Sequence, residues 1–217
     1  MKYTPIFAVV FLVAAIFASC KKDNVKSRET VLYEADFSSE DGHWSVGALG
    51  SAGAMATISN GYYTLVAGSQ GRDVWTWAVF SGVDGGTAVE ASVKLSTTGS
   101  SSDGSGGLIW GSKENNNSNV RYYFGISYDG YYTIWGYPNG TDKPFVVYKD
   151  WVSNSAIRNS DFNTLRITLV NGSLHFYINT QEVFNMPSTG GSLDKSGFAV
   201  SKNSTLQADY FKAVKLD

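Results

Sequence analysis

Five side chains in one short stretch have the types and spacing for ligand chemistry: Arg121, Tyr123, Tyr131, Trp135 and Tyr137. They lie within Asn119 to Tyr137, NVRYYFGISYDGYYTIWGY, which reads as two strands joined at Asp129-Gly130. That dipeptide suits the positive backbone dihedrals of a hairpin turn. Successive side chains of a strand alternate between faces. Val120, Tyr122, Phe124 and Ile126, with Tyr132 and Ile134 from the second strand, therefore make a core face. The opposite face holds the five side chains together with Gly125, Ser127 and Thr133, an excess of aromatics where a solvated face ordinarily carries Lys, Glu and Thr. Flat aromatic rings cover the apolar C–H faces of sugar rings, and arginine donates hydrogen bonds to hydroxyls. Glycan binding is thus the chemistry this set could perform. Two states of the face stay open: an accessible stacking platform, or a surface covered by a loop or by the N-terminal strand.

Other chemistries find fewer residues. Glycoside hydrolysis needs two carboxyl groups flanking the scissile bond. Glu90 alternates with Ser92 and Lys94 along one strand, Asp129 occupies a turn, and neither belongs to an acidic cluster. His43 and His175 lie in no Ser/Asp pattern of the kind a nucleophilic triad requires. The remaining tryptophans read as packing: Trp44, Trp75, Trp77 and Trp110 as core, and Trp151 as a plug in an irregular segment. The expectation is a protein that binds without catalysing. A lone cysteine, Cys20, excludes an internal disulfide framework and a Cys-based zinc site. With 17 Lys and Arg against 19 Asp and Glu the formal charge is −2, and no basic cluster is present to neutralise phosphates, so nucleic acid is not an expected partner.

The elements that must position these residues are strands. Gly, Ser, Asn, Thr, Tyr and Trp dominate, Pro is scarce, and helix-favouring stretches are nearly absent after the N-terminus. Asn60-Gly61 and Asn171-Gly172 are strong hairpin signals. Between such turns, Thr87 to Leu95 and Asn163 to Val170 alternate apolar and polar residues. A first strand is expected over Val31 to Phe37 and a short one over His43 to Val46, with Ser/Gly and Asn-rich loops at Thr97 to Ser105 and Ser112 to Ser118. Short strands at regular spacing, with no repeat and no linker after residue 30, predict one β-sandwich or barrel.

The N-terminus reads differently. Lys2 precedes an apolar run from Ile6 to Phe17, too short for a comfortable bilayer span and suited to an export signal. Phe17-Ala18-Ser19-Cys20 resembles a bacterial lipobox, and the following Lys21-Lys22-Asp23-Asn24 is similar to lipoproteins of the Bacteroidetes type. The resemblance implies a signal peptide over 1–19, acylation of Cys20, a tether over 20–30 and a folded domain over 31–217. It further implies membrane attachment through the lipid at the cell envelope, the outer membrane being the expected site.

The folded part carries its own resemblance. GGLIWG, the hairpin NVRYYFGISYDGYYTIW, the segment Trp151 to Ile157, NTLRITLVNGSLHFYINTQEV and the terminal ADYFKAVKL are together similar to the concanavalin A-like lectin/glucanase fold, in its laminin-G-like and carbohydrate-binding branches. That implies an all-β, antiparallel two-sheet jelly-roll sandwich whose glycans lie on the concave face or at its rim. The fold hosts lectins, hydrolases and plain structural modules alike. A surface structural or protein-interaction module is therefore the alternative to glycan binding, and a glycoside hydrolase the second. Related sandwiches hold calcium where the first and last strands meet, and Asp36 and Asp209 resemble the acidic positions used there. The other reading of these aspartates is hydrogen bonding to nearby backbone.

Overall fold

A computed structural model describes residues 29–50, 53–68, 73–81, 86–97, 104–111, 120–188 and 193–217. The export signal, Cys20 and the tether up to residue 28 lie outside the described residues, as do most of the Ser/Gly loop and the Asn-rich loop. The described residues hold fifteen strands and no helix. In chain order the first seven are β1 (Glu29–Ala35), β2 (Gly47–Ala48), β3 (Met55–Ser59), β4 (Tyr62–Ala67), β5 (Val74–Val79), β6 (Thr87–Thr97) and β7 (Ser105–Gly111). There follow β8 (Arg121–Ser127), β9 (Tyr131–Tyr137), β10 (Val146–Ser153), β11 (Asn163–Val170), β12 (Ser173–Ile178), β13 (Gln181–Pro187), β14 (Lys195–Val200) and β15 (Ser204–Leu216).

They form two antiparallel sheets packed as a jelly-roll sandwich. One has nine strands in the order β13-β12-β11-β6-β15-β4-β3-β2, with β1 paired to the second half of β15. The other has six in the order β10-β9-β8-β7-β14-β5. The turn signals act as expected: Asn60 and Gly61 have φ of 54° and 76°, and Asn171 and Gly172 have 50° and 73°. Both central residues at positive φ is the geometry whose twist matches a hairpin.

Between the sheets lies one continuous aromatic core. Phe176 of the larger sheet meets Trp110 and Phe124 of the smaller at ring distances of 5.5 and 5.3 Å. Trp44 wedges between Phe198 and Phe211 at 5.0 and 5.2 Å. Tyr122, Phe124, Ile126, Tyr132 and Ile134 all join this core, so the inward face of the central hairpin is as the alternation predicts. Burying side chains of this size stabilises by about 2 kcal/mol each, which orients the hairpin without ambiguity.

Two boundaries differ from expectation. The first strand begins at Glu29 and ends at Ala35, because Phe37 takes a φ of 54° and turns the chain inward. No strand forms around Trp44: the Asp41 carboxylate accepts the His43 amide at 2.9 Å, closing a local turn. The indole N–H then donates to the Tyr33 hydroxyl at 2.8 Å, and the ring is buried from a loop.

Candidate functional site

The outward face of the six-stranded sheet carries a groove, and glycines let its strands approach closely. Gly107 of β7 lies directly opposite Gly125 of β8, and Gly197 of β14 opposite Trp77 of β5. A Cβ on Gly107 would stand 2.9 Å from the Gly125 Cα and strike the Phe124 carbonyl. One on Gly197 would strike the Thr76 carbonyl. Neighbouring backbones approach closely here because these positions carry no side chain.

The floor is a small apolar cluster of Ile109, Tyr123 and Ala199, against which Trp77 and Trp135 pack. Tyr123 is only 5% exposed. Its ring lies over Gly125, where any Cβ would collide with it. Burial pushes the Tyr123 phenol far above its ordinary pKa, so it remains a neutral, apolar floor.

Two walls rise from this floor. On one side stands Trp75 of β5, 40% exposed; on the other Trp135 and Tyr137 of β9 and Trp151 of β10, the last 44% exposed. Trp135 meets Tyr123 at 5.1 Å, Tyr137 edge-on at 5.7 Å and Phe145 at 6.1 Å. The space between the walls is about 250 Å³. An adjoining hollow of about 350 Å³ shares Asp73, Trp135, Tyr137 and Trp151 and extends to Phe145 and Asp150.

Arg121 spans the groove. Its guanidinium carbon sits 3.9 Å from the centre of the Trp75 ring and 5.4 Å from that of Tyr137. Burial draws the guanidinium below its ordinary pKa, an effect opposed by Tyr137 and Asp73, but an arginine stays charged. The carboxylates on the groove are Asp73 and Asp150. Asp73 accepts the Lys202 amide at 3.4 Å, and Asp150 the Trp151 amide at 2.8 Å.

Of the five sequence-predicted residues, the structure brings Arg121, Tyr123, Trp135 and Tyr137 together and leaves Tyr131 apart. Tyr131 stands beside the hairpin turn, 40% exposed, outside the lining of the groove. Tyr123 supports the site from beneath and offers no free ring face. Two tryptophans assigned to packing are wall residues. Trp75 faces outward because Val74, Thr76 and Ala78 fill the inward side of β5, so small and polar residues mask the true core face. Trp151 belongs to a regular strand, β10, whose two register shifts against β9 obscure its alternation. Asp73 and Asp150 carry no motif.

A larger hollow, about 730 Å³, lies on the outer face of the nine-stranded sheet beside Glu90, Arg166 and Tyr177. Two charged groups of its lining pair with each other, Arg166 bonding Glu90 at 2.9 Å, and Arg166 also bonds Glu29 at 2.7 Å. Asp36, proposed for calcium, accepts both the amide and the hydroxyl of Ser38 through one oxygen. Among the described residues no group of three or more acidic, His or Cys side chains could hold a metal.

No family model matches the sequence, and no curated protein matches it. Solved structures match the fold. An endo-β-galactosidase from Clostridium perfringens that releases GlcNAcα1-4Gal superposes with a TM-score of 0.63 at 12% identity, over 87% of this chain and 63% of that one; this chain thus spans less than two thirds of that structure. The catalytic domain of an endo-1,3-β-glucanase (laminarinase) from Thermotoga petrophila gives 0.59 at 10% identity, over 88% and 99%. The carbohydrate-binding module CBM66 from Bacillus subtilis gives 0.51 at 11%, over 76% and 91%. At these identities the likeness establishes the fold alone, a two-sheet antiparallel jelly-roll sandwich.

Proposed function

We propose that this chain binds a polysaccharide or other glycan in the groove of its six-stranded sheet and does not transform it. The observation that carries the reading is the pairing of accessible tryptophans across a narrow cleft, Trp75 against Trp135 and Trp151, over an apolar floor. Trp135 and Trp151 offer apolar surface to the C–H face of a pyranose ring, while Arg121, seated on the Trp75 ring, and the carboxylates of Asp73 and Asp150 supply directional bonds to hydroxyls. Fold relatives that include a carbohydrate-binding module and glycan-cleaving enzymes support it.

Affinity electrophoresis of the segment Lys22 to Asp217 through gels containing different polysaccharides tests the reading. Retardation in at least one gel is expected. Trp135→Ala is expected to weaken binding by about 1.5 kcal/mol, roughly tenfold in Kd, the worth of one lost stacking contact. Uniform mobility in every gel would overturn the reading in favour of a structural or protein-interaction module. A hydrolytic reading draws on the presence of two carboxylates, Asp73 and Asp150, beside one groove. Release of reducing ends from the retarding polysaccharide distinguishes it.

The same proposal places the domain at the cell envelope, outer membrane included, held by lipid on Cys20. Labelling with radioactive palmitate in a bacterial host is expected to mark the wild-type chain and to vanish in Cys20→Ala. Label persisting in that variant would refute the anchor.

A further inference from the structure

The groove holds a cation whose contacts among the described residues are aromatic. Arg121 is half-buried, and its guanidinium is clasped between the faces of Trp75 and Tyr137, yet no carboxylate among the described residues lies within ion-pair distance. The charged groups of the opposite sheet behave differently: Arg166 and Lys212 each contact Glu90 at 3.0 Å or less. Asp73 lines the same groove and acts on Arg121 only through space. Stacking between two rings fixes the plane of a guanidinium while leaving its in-plane N–H groups available. A planar fork of donors, held rigid and partly shielded from water, suits an oxyanion that accepts two parallel hydrogen bonds. Neutral hydroxyls would use the donors but leave the charge uncompensated.

Resting on the glycan reading, we propose that the sugar unit at the Arg121 end of the groove bears an oxyanion, a carboxylate or a sulfate ester, and that Arg121 selects it. Asp73 and Asp150 make the remainder of the groove acidic. The favoured ligand is therefore a chain with anionic units spaced among neutral ones, since a uniformly charged polymer would set like charges against these two carboxylates.

The test uses the full chain in detergent and two matched pairs of polymers: glucuronoxylan with its carboxyl-reduced form, and a sulfated galactan with its desulfated form. At least one acidic member is expected to bind about tenfold more tightly than its neutral counterpart. That difference is expected to shrink as salt rises. Arg121→Gln should abolish the preference by weakening the acidic member about tenfold more than the neutral one, and Arg121→Lys should retain part of it, because the charge survives without the fork. Trp135→Ala should weaken both members alike. The first pair separates a carboxylate from the sulfate ester tested by the second. Equal binding within both pairs, or an Arg121→Gln loss shared equally by both members, overturns the inference and leaves glycan binding standing. Absence of binding to all four polymers and to every polysaccharide gel overturns both.

Discussion

Gly197→Ala is expected to lower the free energy of unfolding by about 3 kcal/mol, the upper end of the usual cost of overpacking. The added methyl has nowhere to go: it strikes the Thr76 carbonyl and stands 3.0 Å from the Trp77 Cα, and both obstacles are backbone. A flexible side chain could swing aside, whereas here β14 must separate from β5, breaking the ladder that runs from Lys195↔Val79 to Val200↔Val74. The damage would reach the binding face, because β5 carries Trp75. Urea denaturation measures it, with Val79→Ala as a control on the same outward face of β5. Val79 is 42% exposed, and its truncation should shift stability by about 0.5 kcal/mol or less. A Gly197→Ala protein as stable as wild type would show that the two strands can part freely, and the account of their close approach would fall.

The register that brings these backbones together explains which parts of the site were legible in the sequence. Alternation along a strand is a local property, so the two faces of the central hairpin, the core residues Phe124 and Ile134, and the placing of Arg121 and Trp135 on one side could all be read from it. The I′-type turns at Asn60-Gly61 and Asn171-Gly172 are likewise dictated by two residues each. What seats neighbouring backbones so closely is distributed over several strands. Gly107 faces Gly125 only once β7 and β8 are in register, and no spacing in the chain announces that pairing. Trp75 meets Arg121 across β14 and β7, which lie between their strands. The sequence also mistakes hydrophobicity for burial: in V-W-T-W-A-V the larger residues point outward and Thr76 points in. Trp151 was hidden for another reason, the register shifts of an edge strand, which break the period that would have revealed it. Conversely, Tyr131 shares the period of Trp135 and still misses the groove, because it stands at the turn end of the hairpin, beyond the lining.

The opposite sheet supplies the second large effect. Glu90→Ala is expected to cost about 2 kcal/mol, between the worth of an exposed ion pair and the cost of removing one partner from a buried one. Glu90 lies on β6 directly between Arg166 of β11 and Lys212 of β15. Its carboxylate accepts from the Arg166 guanidinium at 2.9 Å, from Lys212 at 3.0 Å and from the Tyr210 hydroxyl at 2.8 Å. With the Glu90 side chain 13% exposed, truncation leaves Lys212 without its carboxylate and Arg166 with Glu29 alone. The same arrangement sets a pH dependence. Burial alone would raise the Glu90 pKa, but the bonds from Arg166, Tyr210 and Lys212 outweigh it and hold the group below its ordinary value of 4.5. A carboxyl whose folded pKa is depressed contributes its full stability above the unfolded value and loses it as pH falls through the folded one. Wild-type stability should therefore decline below about pH 4.5 partly through this residue. Glu90→Gln keeps the shape and lacks the charge, so it should be less stable near neutrality and show a shallower decline in acid. Urea midpoints taken across that range would measure both, and parallel curves for the two proteins would assign the acid loss to other carboxylates.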